Sequence, residues 1–157
     1  MNKIKKLFIY FLVLFIIQIY LLDFFKILSV RLDLFIPALV NLGINYSLSY
    51  ALGYGIFLGF LEDLLGNYPW GINSFLFFLS AYLIYRIKIS FVVESMPFKI
   101  LIVIMFGLLI NIFKIFFLYL YGSLPSLGTF LKITAIYMFF TVILSVPVFK
   151  TMDSLCR

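Results

Sequence analysis

Residues 53–73 decide the fold: Gly53-Tyr54-Gly55-Ile56-Phe57-Leu58-Gly59-Phe60-Leu61-Glu62-Asp63-Leu64-Leu65-Gly66-Asn67-Tyr68-Pro69-Trp70-Gly71-Ile72-Asn73. An apolar helix enters, two adjacent carboxylates follow, Gly66 to Pro69 forms a corner, and a second apolar helix leaves at Trp70. Gly55, Gly59, Glu62 and Gly66 fall at i, i+4, i+7 and i+11, which places them on one helix face. Small residues at that spacing let a second backbone approach closely, a recurring device where helices pack in lipid.

The surrounding composition names the solvent. The chain has 157 residues, of which 66% are hydrophobic and only 11% charged, and its mean hydropathy is +1.23. Soluble domains average about 25% charged residues. The apolar runs do not alternate with polar residues as β-barrel strands would. The expected fold class is all-α: a polytopic membrane protein with six transmembrane helices in one bundle, residues 1–157 forming a single integral domain.

The spans are expected at about 7–22, 34–48, 50–65, 70–85, 98–121 and 129–149. The first follows a basic start (Lys3, Lys5, Lys6) and has no small-residue cleavage site after it, so it reads as a retained anchor. Spans two and three are short for the roughly 20 residues a crossing needs. A re-entrant hairpin is the alternative, and two full crossings are preferred because the basic residues then sort. With the N-terminus inside, Lys3, Lys5, Lys6, Arg86, Lys88, Lys99, Lys150 and Arg157 are cytoplasmic, and Lys26 and Arg31 lie in an outer loop. Both termini are therefore expected in the cytoplasm. The net charge of +6 belongs to this topology signal and gives no reason to expect nucleic acid. The expected surroundings are membrane lipid.

Asp63 stands close to the end of its helix, where the macrodipole repels an anion. Two roles fit it. It accepts hydrogen bonds from the free amides of Gly71, Ile72 and Asn73 that open the next helix, clamping the hairpin, or it is a partner-binding or ligand-binding carboxylate. Glu62 is turned about 100° from it, toward water or a basic side chain. Lys114, one helical turn after Asn111, either snorkels outward or faces the bundle and reaches Glu62 or Asp63. Lys132 reads as a snorkelling lysine.

Catalytic chemistry finds little footing. The chain has no histidine and one cysteine, Cys156. It has no Gly-x-Ser-x-Gly elbow and no Asp-rich metal motif. Neither an enzyme nor a cofactor or metal site is expected.

The run Gly55-x-x-x-Gly59-x-x-x-Asp63-Leu64-Leu65-x-x-x-Pro69-x-Gly71-x-Asn73, followed by Ala81-Tyr82-Leu83, resembles the signature of the MreD family of small bacterial inner-membrane proteins. Gly66 and Asn67 stand where that family usually has a Ser-Gly-like pair. The resemblance implies a non-enzymatic scaffold of the rod-shape (elongasome) system that supports peptidoglycan elongation and cell shape. Its implied partners are MreC-like, MreB-like and RodA or penicillin-binding transpeptidase-like proteins. It also implies a fold similar to the substrate-binding subunits of energy-coupling-factor vitamin transporters. That similarity keeps a second function open, a transporter-type binding subunit, for which Asn73, Asn111, Lys114, Glu62 and Asp63 supply the polar groups.

Overall fold

The computed structural model describes residues 3–25, 33–65, 71–91, 95–120 and 127–156. Among these there are six α-helices and no strand: α1 (Lys3–Phe25), α2 (Phe35–Asn45), α3 (Leu48–Leu65), α4 (Ile72–Ser90), α5 (Met96–Leu120) and α6 (Leu127–Cys156). Four of them carry stretches long and apolar enough to cross a membrane: Leu48–Leu65, Ile72–Ser90, Met96–Phe117 and Leu131–Ser154.

The largest departure from expectation is α2. The sequence reading gave it a span over 34–48, but the helix has 11 residues, and Phe35 to Ile44 are all buried. At 1.5 Å per residue it covers about 16 Å, roughly half of a ~30 Å hydrocarbon core. It therefore does not cross by itself. It is the central strut, packed against α3, α4, α5 and α6. A helix walled by protein need not be matched to the bilayer. Its ends must instead find polar partners within the protein.

Two further boundaries move. α4 runs past Tyr85 to Ser90 in spite of Arg86 and Lys88, because both side chains extend from a helix whose backbone bonds are unaffected. α6 continues through Pro147, expected near its end, to Cys156. Proline removes one backbone donor, yet Val148, Phe149 and Met152 beyond it are buried in the core, which holds the last turns in place.

α1 shows a simple stripe. Leu7, Phe11, Leu14 and Gln18 are buried, while Phe8, Ile9, Leu12, Val13, Ile16 and Ile17 are exposed. The buried set follows the i, i+4, i+7, i+11 spacing of one helix face. Phe11 lies 5.2 Å from the Tyr54 ring, and Phe15 stacks on Phe35 at 6.5 Å between centroids. α1 thereby packs on α3 and on the start of α2.

The tightest pair is α3 against α4, and the glycines cause it. A Cβ on Gly59 would lie 2.4 Å from Ser74 Cα and 2.6 Å from the Asn73 carbonyl oxygen. One on Gly55 would lie 3.2 Å from both Ala81 Cβ and the Phe77 carbonyl oxygen. The two backbones touch directly at Gly59, so any side chain there would drive them apart. Gly43 of α2 instead meets a side chain of α4: a Cβ there would lie 2.6 Å from Ile84 Cγ2. The expected glycine face is a helix–helix contact at Gly55 and Gly59; Glu62, assigned to the same face, turns instead to α5, and Asp63, one turn after Gly59, faces α4 in its place; Gly66 lies outside the described residues.

Candidate functional site

The buried polar groups gather in two layers. The first lies at the end of the molecule opposite the chain termini and is built from the residues that the sequence singled out. Asp63 is 3% exposed. Its carboxylate accepts from the Gly71 amide (3.1 Å), the Asn73 amide (3.0 Å), the Ser74 amide (3.2 Å) and the Ser74 hydroxyl (2.7 Å). The clamp geometry holds, with Ser74 in place of the expected Ile72. Gly71, the N-cap of α4, has φ of +94°, a conformation that residues with a Cβ adopt only at a cost. This turn aims the Gly71, Asn73 and Ser74 amides at one carboxylate. The α4 macrodipole favours the anion there and offsets its unfavourable position at the end of α3. Pro69, also in the motif, lies outside the described residues, as do Trp70 and the Gly66–Pro69 corner.

Glu62 points away from α4. Its Oε1 is 3.5 Å from Lys114 Nζ, and both side chains are nearly buried, at 7% and 12% exposure. Of the two readings for Lys114, the bundle-facing one is observed. Lys132 is exposed, consistent with snorkelling. Asn111 is half-buried on α5, and its Nδ2 has no partner among the described residues. Asn73 is fully buried; its backbone amide reaches Asp63, while its side-chain amide has no partner among the described residues.

The sequence reading missed the group that completes this layer. Asp33, which immediately precedes the expected second span, is 2% exposed. Its Oδ1 accepts from the Phe35 amide at 2.9 Å and the Ile36 amide at 3.3 Å, which caps α2. Lys114 lies within electrostatic reach of Asp33. The buried Tyr137 phenol of α6 lies within electrostatic range of both Asp33 and Glu62 and is hydrogen-bonded to Thr141. Gln18 Oε1 of α1 accepts from the Leu34 amide at 3.0 Å. One cation thus faces two buried carboxylates, with groups from α1, α3, α5, α6 and the start of α2 converging. Asp33 was open to detection: an Asp just before an apolar run with Pro37 in the first turn is a helix-start signature.

The second layer lies toward the chain termini. Asp153 of α6 accepts through Oδ1 from Asn41 Nδ2 at 2.9 Å and Asn45 Nδ2 at 3.2 Å. Its Oδ2 pairs with Lys99 Nζ at 3.2 Å. Asn45 also donates to Asn41 Oδ1 at 2.7 Å. Lys99, read only as a topology marker, is 6% exposed and sits 5.7 Å from the Phe149 ring centre. Tyr10 of α1 bonds Thr151 at 2.7 Å beside this layer. No local signal announced the pairings of Asp153 and of Tyr10, because their partners lie far apart in sequence.

The layers explain the short helix. From Asp33 to Asn45 is about 18 Å of rise along α2, and from Lys99 to Lys114 about 22 Å along α5. α2 spans the distance between one polar layer and the other, and each of its ends is bonded there.

Among the described residues no three of His, Cys, Asp and Glu come together as a metal-ligand set. No family model matches the chain, nor does any curated protein or solved structure.

Proposed function

We propose that this protein is a non-enzymatic membrane scaffold of the bacterial rod-shape system, similar to the MreD family, acting beside MreC-like, MreB-like and RodA or penicillin-binding transpeptidase-like partners in peptidoglycan elongation. The observation that supports this reading is the use made of the motif. Gly55, Gly59, Asp63, Gly71 and Asn73 join α3 to α4 as one rigid hairpin. Such a hairpin presents a fixed lateral surface, apolar at Phe60, Phe75, Phe78 and Tyr82, to whatever packs beside it in the bilayer. In this reading the protein lies in the cytoplasmic membrane with both termini inside. α1 is an anchor crossing, α2 the buried strut, and the bundle has the fold of energy-coupling-factor substrate-binding subunits. Isolating the tagged protein in gentle detergent and identifying co-purifying proteins tests it. MreC or RodA homologues are the expected result. An ATPase pair with a transporter transmembrane subunit would refute it.

One observation favours the second reading, a substrate-binding subunit of a vitamin-type transporter. Asp33 Oδ2 and Asn111 Nδ2 lie buried with no hydrogen-bond partner among the described residues. Such groups are what a polar ligand would use. A thermal-shift screen of vitamins and nucleobases tests this reading, and stabilisation by a single compound would support it.

A further inference from the structure

Asp63 and Asp33 are buried to the same degree, yet their carboxyl groups are served differently. Both oxygens of Asp63 are engaged: Oδ1 by the Asn73 amide, and Oδ2 by the Gly71 amide, the Ser74 amide and the Ser74 hydroxyl. Donors in that number, at the positive end of a helix, hold a carboxylate in its ionised form. Asp33 accepts from the Phe35 and Ile36 amides through Oδ1 alone. Its Oδ2 is buried with no hydrogen-bond partner among the described residues.

The charges around Asp33 do not balance among the described residues. α5 brings Lys114 and α3 brings Glu62, 3.5 Å apart and nearly buried. α6 brings Tyr137, whose phenol is neutral at neutral pH, and its Lys132 is exposed. α1 contributes the uncharged Gln18. α4 contributes the uncharged Asn73 and carries Arg86 and Lys88 at its other end. Asp63 is turned to the α4 amides. With both acids ionised, two negative charges would face one positive charge. A buried ion without a counter-ion neutralises instead, and two neighbouring carboxyls do so by holding one proton between them. A metal ion would need a set of ligands, and no three of His, Cys, Asp and Glu come together among the described residues. A proton needs only one open oxygen, and Asp33 Oδ2 is one.

We propose that this layer binds one proton, shared by Asp33 and Glu62, with Asp33 Oδ2 as the atom open to carry it. Unfolded, both carboxyls are ionised above about pH 5; assembled, the layer keeps one proton. Unfolding therefore releases a proton, and stability falls as pH rises until the assembled layer itself gives the proton up. The packing of α2 against α3 and α5 becomes sensitive to pH through this site.

Infrared spectroscopy of the protein in mild detergent at neutral pH tests the site. Wild type is expected to show the carbonyl stretch of a protonated carboxyl. Asp33→Asn and Glu62→Gln are each expected to lack it, because the acid that remains pairs with Lys114 as an ion. Asparagine keeps an oxygen for the Phe35 amide and is a good helix N-cap, so the fold is expected to persist. Detergent-induced unfolding gives a second reading. From about pH 6 to 8 the unfolding constant of either variant is expected to rise less steeply than that of wild type, by about tenfold per pH unit, the effect of one proton. Should one variant fail to fold, the other decides. Wild type without the carboxyl band would overturn the proposal. So would a band, or a pH slope, that is the same in wild type and in both variants.

Discussion

Asp63→Leu is the most informative perturbation. The leucine is close in size, so little cavity forms, and the loss is almost purely one of hydrogen bonding. Four donors lose their acceptor: the Gly71, Asn73 and Ser74 amides and the Ser74 hydroxyl. They do not lose equally. Gly71 is exposed and its amide can turn to water, Ser74 is half-buried, and Asn73 is fully buried. A buried donor left unpaired costs about 1–3 kcal/mol. Counting Asn73 in full and Ser74 in part gives a loss of roughly 3 kcal/mol. Asp63→Asn keeps one acceptor oxygen, enough for the Asn73 amide, and loses the charge that the α4 N-terminus favours, for about 1 kcal/mol. The expected order of thermal stability in detergent is therefore wild type, then Asn, then Leu, with protein abundance in the membrane following the same order. A partner-binding carboxylate predicts otherwise: both variants as stable as wild type, with loss of co-purifying proteins only. An Asp63→Leu protein with wild-type stability would refute the clamp as a structural element.

The other perturbations separate causes that the sequence alone runs together. Gly59→Ala places a methyl group 2.4 Å from Ser74 Cα, so α3 and α4 must separate; a loss of about 1–3 kcal/mol or more is expected, read as a lower melting temperature. Gly71→Ala meets no atom within 4 Å but keeps φ at +94°, so only backbone strain of about 1–2 kcal/mol is expected. Lys114→Met leaves Glu62 and Asp33 buried without their cation and is expected to destabilise by about 3–5 kcal/mol, whereas adding Glu62→Gln recovers only the share that falls on Glu62, since Asp33 still lacks its cation. A double-mutant cycle of the two that gave no coupling would show that the 3.5 Å pair contributes nothing. Lys99→Met with Asp153→Asn tests the opposite layer; since Asp153 is 37% exposed, coupling of no more than about 1 kcal/mol is expected.

Composition and spacing alone were enough for the all-helical class, the membrane-spanning stretches from Leu48 onward and the close contact at Gly59. These are local or statistical properties: an apolar run of sufficient length has few alternatives in lipid, and glycines four apart on a helix have one common use. The Asp63 clamp was legible for the same reason, since a carboxylate and the amides that open the next helix lie within eleven residues of one another. Tertiary structure alone decided the rest. The length of α2 could not be read from its apolarity, because a helix buried in protein and one crossing lipid carry the same residues; what sets its ends is Asp33 at one and Asp153, 112 residues beyond Asn41, at the other. Lys99 looked like a topology marker and proved a buried partner, because burial depends on what packs above a residue. Glu62 and Asp63, adjacent in sequence, serve different neighbours: about 100° of helix rotation turns one to α5 and the other to α4. Sequence fixes that divergence, but which helix stands on each side is a property of the assembled bundle.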